Sequence, residues 1–284
     1  MRFLALLGLG VLAAAVAFGL NLVPFLQQTG LTQAVLRIII LALVLFGLWR
    51  GLAATNVRAA TRRSRWLTVA VVLVAWAAST LTLAVGGVFE QTSRFGFLLP
   101  LAVLLPLITG LPLLLRSSWL GQVLDVTAPS RLVGLQVYRV FGSVWMVAWA
   151  TGVLPGAFAL PAGIGDTLVG TMAVPVAGIV NRNRAAGVGW NLLGILDLAD
   201  AFVLGTLAVQ GQFPYPLVLI PTFAVPLSIL FHAVSLRQLR RGALSASQTS
   251  GATTASTSAV PTHVVGDAAV ALTALAREAR RSLM

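Results

Sequence analysis

Apolar positions along this chain come in long unbroken runs. They show neither the alternation of a half-buried strand nor the stripe of a surface helix. Eight runs approach or exceed the roughly 20 residues that cross a bilayer as a helix. They are Phe3–Val23, Leu31–Trp49, Trp66–Val88, Phe97–Leu115, Leu132–Val153, Leu160–Val180, Val188–Val209 and Leu217–Leu236. The pattern predicts an all-α fold, a polytopic transmembrane helix bundle of eight spans joined mostly by short connections. The first run has the outline of a signal peptide, with Met1-Arg2 ahead of it and small residues at Ala13–Ala17. Its apolar stretch continues to Val23, longer than a signal's apolar core, so it reads as a retained span.

The pattern changes after Arg241. Residues 242–265 are rich in Ser, Thr and Ala and read as a flexible linker. Residues 266–284 read as a short basic amphipathic tail, in which Asp267 can cap an Ala/Leu run ending in Arg277, Glu278, Arg280 and Arg281. The bundle is then residues 1–241, with an apolar surround at 1–115 and a half that holds polar groups at 129–241.

Composition strengthens the membrane reading. Of 284 residues, 58% are hydrophobic and 9% charged, where an average soluble domain has roughly 25% charged. One soluble core of this size could not hide so much apolar surface. The net charge is +12, and every one of the 19 basic residues is Arg. Their placement is lopsided. If the N-terminus lies inside, that side receives Arg2, then Arg50, Arg58, Arg62, Arg63 and Arg65, then Arg116 and Arg131. It also receives Arg182 and Arg184, then Arg237, Arg240, Arg241, Arg277, Arg280 and Arg281, while the opposite loops hold only Arg94. By the positive-inside rule both termini are cytoplasmic. Trp49, Trp66, Trp119 and Trp190 fall near the same helix ends, as an aromatic belt would. The basic excess is thus a topology signal that anionic lipid can satisfy, and no nucleic-acid partner is called for.

Absences narrow the chemistry. With no Cys, the chain has no disulfide, Cys-bound metal or thiol nucleophile. With no Lys, it has no Walker A lysine and no Schiff base. Only two His occur, at 232 and 263, and no HExxH is present. No cofactor and no metal site is expected.

A charge near the bilayer centre costs a few kcal/mol and needs a partner or a wet cavity. The spans hold Arg37 and Arg139 against Asp166, Asp197 and Asp200, which leaves one negative charge in excess. Apart from Arg37, the buried polar set, which also includes His232, Asn191, Tyr138 and Gln136, lies in spans five to eight. At 1.5 Å per residue, Arg139 sits about 10 Å above the inner end of its span, Asp197 roughly 13 Å and Asp200 roughly 18 Å. Arg139 and Asp197 are therefore level. Asp197 and Asp200, three apart, share a helix face. Both can surround Arg139, or one is left as a protonatable acid.

Other positions carry a bland reading beside the functional one. His232, about 6 Å from its helix end, reads as an interfacial side chain, with a proton relay as the alternative. Arg37 reads as snorkelling to the membrane surface. Two prolines and three glycines between Pro155 and Asp166 suggest a broken entry to span six. Asp166 would then be its N-cap near the outer surface, compatible with a mouth for cations. Asn191 and Gly194 read as helix packing.

Four pieces stand out together. They are Gln136-Val137-Tyr138-Arg139-Val140-Phe141-Gly142, Pro161-Ala162-Gly163-Ile164-Gly165-Asp166 and Asn191-Leu192-Leu193-Gly194-Ile195-Leu196-Asp197. The fourth comprises Ile220-Pro221-Thr222-Phe223, Val225-Pro226 and His232-Ala233-Val234-Ser235-Leu236. As a set, from about Pro129 to Arg241, they resemble a group of multi-pass bacterial membrane proteins. The resemblance implies a bacterial inner-membrane location and brings no activity with it.

Three functional classes fit. The first is a small-solute or proton-coupled transporter, with Arg139, Asp197 and Asp200 at a midplane site, Asp166 at one mouth and His232 near the other. Tyr138, Gln136 and Asn191 support that site. The second is a structural or assembly subunit, held to a membrane partner or another copy of itself, with the Arg–Asp pair as glue. The third is an intramembrane enzyme acting on a lipid-phase substrate, which the lack of an aspartate-rich run disfavours.

Overall fold

The computed structural model describes residues 2–90, 97–209 and 213–258, and beyond Arg241 the backbone alone. It is an all-α polytopic bundle with eight helical segments long and apolar enough to cross a membrane. Four come first. Helix α1 (Arg2–Asn21) is joined by the short α2 (Pro24–Thr29) to α3 (Leu31–Ala53), which is followed by α4 (Ala59–Val85) and α5 (Leu98–Arg116). The turn between α2 and α3 is fixed by Gly30, whose φ of 68° is left-handed and whose missing Cβ makes room for Pro216 and Tyr215. A short α6 (Ser118–Asp125), capped by the Ser117 hydroxyl, leads to the fifth span.

That span is composite: α7 (Pro129–Leu135), a 3-10 stretch at Gln136–Ser143, then α8 (Val144–Ala150). Helices α9 (Gly156–Ile179) and α10 (Arg184–Ala208) follow. The last span enters through a 3-10 turn at Leu217–Leu219 and a π-helical turn at Ile220–Ala224, and continues as α11 (Val225–Ser258). The backbone of α11 runs on helically to Ser258, into the stretch whose composition suggests a linker. The amphipathic tail and Arg94 lie outside the described residues.

Alternation of the spans is visible in their contacts. On one face the ends of spans two, four and eight meet. Val123 packs at Gly51, Arg237 donates to the Leu114 carbonyl at 2.9 Å, and Gln238 donates to the Leu124 and Thr127 carbonyls at 2.5 and 2.7 Å. On the opposite face the Tyr215 amide donates to Glu90 at 2.9 Å and its hydroxyl to the Thr29 carbonyl at 3.2 Å. Aromatic and guanidinium groups stack on the first face, with Arg62 5.2 Å from the Trp49 ring and Arg65 5.3 Å from Trp119.

Burial singles out two spans. In the fifth and the eighth, 61% of the apolar window is buried, against 11 to 22% in the first four. Helix α9 lies against the fifth span, α10 and also α1. The α1 contact is close: Gly10 sits on the Thr171 carbonyl, and the Asn21 amide donates to the Phe141 carbonyl at 3.1 Å and to Ser143 at 3.0 Å. So α1, read from its apolarity as part of a surround, is a wall of the polar half.

Candidate functional site

The site begins with the 3-10 stretch. Three residues per turn stack Gln136, Arg139 and Gly142 on one line, a geometry seldom sustained this long. Here it is sustained by burial, since Gln136, Tyr138, Arg139, Val140, Gly142 and Ser143 are all enclosed. Helix α9 comes close enough to allow this because residue 170 is Gly. A Cβ there would stand 2.5 Å from the Val140 nitrogen and 2.9 Å from the Arg139 carbonyl carbon. Gly142 likewise leaves the space that the Asp166 side chain fills.

Arg139 is the hub. Its side chain is 2% exposed, and all three nitrogens are used. Nε donates to Asp166 Oδ1 at 2.8 Å, Nη2 to Asp197 Oδ2, and Nη1 to the Gly194 carbonyl at 3.4 Å. Nη1 also faces His232 Nε2 at 3.3 Å. Two aspartates from different helices thus hold one guanidinium from two sides, as charge-assisted bonds favour. Trp145 Nε1 donates to the other oxygen of Asp166 at 3.3 Å.

The donors assign the histidine's state. Asn191 Nδ2 donates to the Gly187 carbonyl at 2.7 Å and to Ser235 at 3.0 Å, so its Oδ1 faces His232 Nδ1, 3.0 Å away, as an acceptor. Nδ1 therefore carries the proton, and Nε2 offers a lone pair to Arg139. The imidazole is neutral, stacked 4.9 Å from Trp190, whose Nε1 is tied to the Val169 carbonyl at 3.1 Å. Counting Arg139, a neutral His232, and Asp166 and Asp197 both ionised, the cluster holds one negative charge in excess.

Several expectations are corrected. Asp166 is not an N-cap. Helix α9 starts at Gly156, directly after Pro155, and runs unbroken through Pro161 and Asp166. The glycines that suggested a break serve packing instead: Gly163 faces Met146 and Gly165 faces the Asp197 carboxylate. His232 is not interfacial, being 0% exposed. Trp190 is buried and belongs to the cluster, not to a belt. Arg37 does not snorkel. It is buried and donates to the Ala77 and Leu219 carbonyls, both at 2.9 Å, and to Thr80 and Thr222 at 3.0 and 3.2 Å. Its guanidinium also lies 4.9 Å from the Phe223 ring.

Asp197 pairs with Arg139, as their equal depth suggests, whereas Asp200 is exposed and has no hydrogen-bond or ion-pair partner among the described residues. Gln136 and Tyr138 brace the fifth span against α11. Gln136 donates to the Ser228 carbonyl at 3.0 Å, and Tyr138 shares a 2.5 Å bond with the Ser228 hydroxyl. Asn191 does more than pack, since it fixes the imidazole. Sequence reading missed Trp145, Ser228 and Ser235. The stripe of Trp190, Asn191, Gly194 and Asp197 at helical spacing held a signal for Trp190; nothing around Trp145 did.

A cavity of about 120 Å³ reaches the cluster. Leu99, Pro100 and Val103 of α5 and Leu198, Ala201 and Phe202 of α10 form two walls, and Trp145, Phe158 and Phe213 a third. The three aromatic rings meet edge to face at 5.1 to 5.7 Å. Asp166 lines this space too. No group of three or more His, Cys, Asp or Glu arranged to hold a metal ion occurs among the described residues. Between Asp166, Asp197 and His232, the position a cation would take is filled by the Arg139 guanidinium.

Residues 96–240, just over half of the chain, match the family model described as "Domain of unknown function (DUF8737)". The chain belongs to the DUF8737 family. The DUF8737 region includes every member of the Arg139 cluster and every residue lining the cavity, and it takes in the fourth span, which the resemblance read from Pro129 onward left out. Arg37 and the α1 contacts fall before the DUF8737 match. No curated protein and no solved structure matches the chain.

Proposed function

We propose that this integral membrane protein is a proton-coupled permease for a small solute, and that the Arg139 cluster is its coupling site. The observation that carries the reading is the position of Asp166. Its carboxylate belongs to the buried charge cluster, and the same residue lines a cavity. A purely structural ion pair has no use for such a space.

The cluster's surplus negative charge supplies the mechanism. Asp166 is also held by Trp145, whereas the described hydrogen bonds of the Asp197 carboxylate run to Arg139 alone. A proton arriving at Asp197 neutralises the cluster and frees Arg139 to bind Asp166 alone; its departure restores the shared arrangement. Neutral His232, fixed by Asn191, caps the remaining guanidinium nitrogen and keeps it from turning away. The arginine asymmetry supports both termini being cytoplasmic, and the resemblance from about Pro129 to Arg241 implies a bacterial inner-membrane location.

The test is proton movement in proteoliposomes carrying an entrapped pH dye. Wild-type protein should dissipate an imposed pH gradient in the presence of its solute. Asp197→Asn, recovered as a folded species of the same size, should do so at least tenfold more slowly. Unchanged rates in that variant would end the reading.

A second reading, an assembly subunit, draws on Arg37. That residue is a buried arginine whose described hydrogen bonds run to carbonyls and hydroxyls, as packing alone would require. It predicts co-purification of a membrane partner that Arg139→Ala loses along with folded protein.

A further inference from the structure

We infer that the cavity beside Asp166 is a binding site for a small organic ammonium ion with a short apolar body. The inference rests on the permease reading for its consequence, but it stands on separate observations.

Charge comes first. With both acids ionised, the cluster has one negative charge more than Arg139 balances, and Asp166, one of the two, lines the cavity. A carboxylate offers about four acceptor sites. In Asp166 one oxygen receives Arg139 and the other Trp145, so acceptor capacity remains for an N–H donor from the cavity. An anion there would meet the same surplus charge and be repelled. A neutral apolar molecule would leave that charge uncompensated.

The walls decide the rest of the ligand. Apart from Asp166 and Thr206 they are apolar or aromatic, with Trp145, Phe158 and Phe213 on one side and Leu99, Val103 and Leu198 on the others. Aromatic faces accept cations as well as alkyl groups. Volume limits size. A cavity of about 150 Å³ holds benzene, so about 120 Å³ takes a body of roughly four or five heavy atoms. Hydrated inorganic cations fit poorly, because nothing but one carboxylate and one hydroxyl replaces their water.

Depth argues for a free amine over a lipid headgroup. Asp166 is ten residues into α9 from Gly156, about 15 Å along the helix. A headgroup amine would have to leave the interface to reach it. A bound ammonium and a proton on Asp197 neutralise the same charge, so each disfavours the other. The site then exchanges an amine for a proton.

The experiment measures n-butylammonium binding to the full-length protein in phosphatidylcholine nanodiscs by calorimetry, with n-butanol and butyrate as matched probes. Butylammonium should bind at least tenfold more tightly than either. Ala201→Phe, which puts a ring into the cavity and leaves every charge of the cluster in place, should weaken binding at least tenfold, as should Asp166→Asn recovered as a folded species. Equal binding of butanol, or binding untouched by Ala201→Phe, overturns the inference. Affinity that falls in phosphatidylethanolamine nanodiscs would make the lipid headgroup the occupant and overturn the free-amine assignment. The two readings fail differently. Amine binding without proton movement removes the permease and leaves the site. Proton movement without amine binding removes the site and leaves the permease.

Discussion

Replacing Arg139 with Met should be far more damaging than replacing Asp197 with Asn, and the difference measures the surplus charge directly. Arg139→Met leaves two carboxylates, both with side chains only 12% exposed, without a counter-charge. Breaking a buried pair by removing one partner costs about 3–5 kcal/mol. Asp197→Asn keeps a hydrogen-bonding oxygen toward Nη2 and brings the cluster from one negative charge to none. The loss there is one charge-assisted bond weakened to a neutral one, about 1 kcal/mol, partly offset by removal of the uncompensated charge. The gap between the variants is therefore about 3 kcal/mol, or two orders of magnitude in the unfolding equilibrium constant. The triple variant Arg139→Met, Asp166→Asn, Asp197→Asn carries no charge in the cluster and should recover at least half of what Arg139→Met loses. Reversible unfolding in mixed micelles with rising dodecyl sulfate, followed by the fluorescence of the 7 Trp, reads all four proteins. If Asp197→Asn were as destabilised as Arg139→Met, the aspartate would be needed to balance the arginine. The cluster would then be a neutral clamp without spare charge.

Three further outcomes follow from the packing. Gly170→Ala should destabilise by about 1–3 kcal/mol, because the new methyl meets backbone atoms of the 3-10 stretch that cannot yield. Gly8→Ala, with nothing within 4 Å, should be neutral or slightly stabilising; equal effects of the two in the same micelle titration would refute the close approach. Arg37→Leu loses four bonds averaging about 0.6 kcal/mol each in a membrane, which nearly offsets the roughly 2.5–3.5 kcal/mol cost of inserting an arginine. It should stay within about 2 kcal/mol of wild type and keep its proton movement, and a loss of activity in folded protein would make Arg37 part of the site. Tyr138→Phe removes the bond to Ser228 and should cost about 1 kcal/mol, read by the same titration.

The number of spans was legible because apolar run length is a one-dimensional property. Depth was legible too, and it brought Arg139 level with Asp197. Depth says nothing about azimuth, however. Arg37 and Arg139 look alike in sequence, each an arginine several residues into a span. One turns toward the carbonyls and hydroxyls of α4 and the last span, and the other toward two acids. Only the tertiary neighbours separate them. Glycine misled for a related reason. In a membrane helix backbone bonding persists through Gly and Pro, so Gly163 and Gly165 mark close approach, where a soluble sequence would mark a break. The 3-10 stretch had no signal of its own, because it is imposed by what Gln136, Tyr138 and Arg139 must reach.

Asp200 supplies the last step. It stands one helical turn past Asp197 on α10, so the two carboxylates lie about 5–6 Å apart at their Cβ atoms. Asp200 is exposed at the bundle surface while Asp197 is partly covered. An unpartnered acid at this depth carries a cost of a few kcal/mol when it faces hydrocarbon, which packing alone gives no reason to bear. We propose it as the relay by which protons reach Asp197 from the surface of α10. Asp200→Asn should then slow proton movement in proteoliposomes severalfold while leaving butylammonium affinity as in wild type and micelle stability no lower. A variant that moves protons at the wild-type rate would take Asp200 out of the path. One that also loses amine binding would place it in the cluster, where the geometry does not put it.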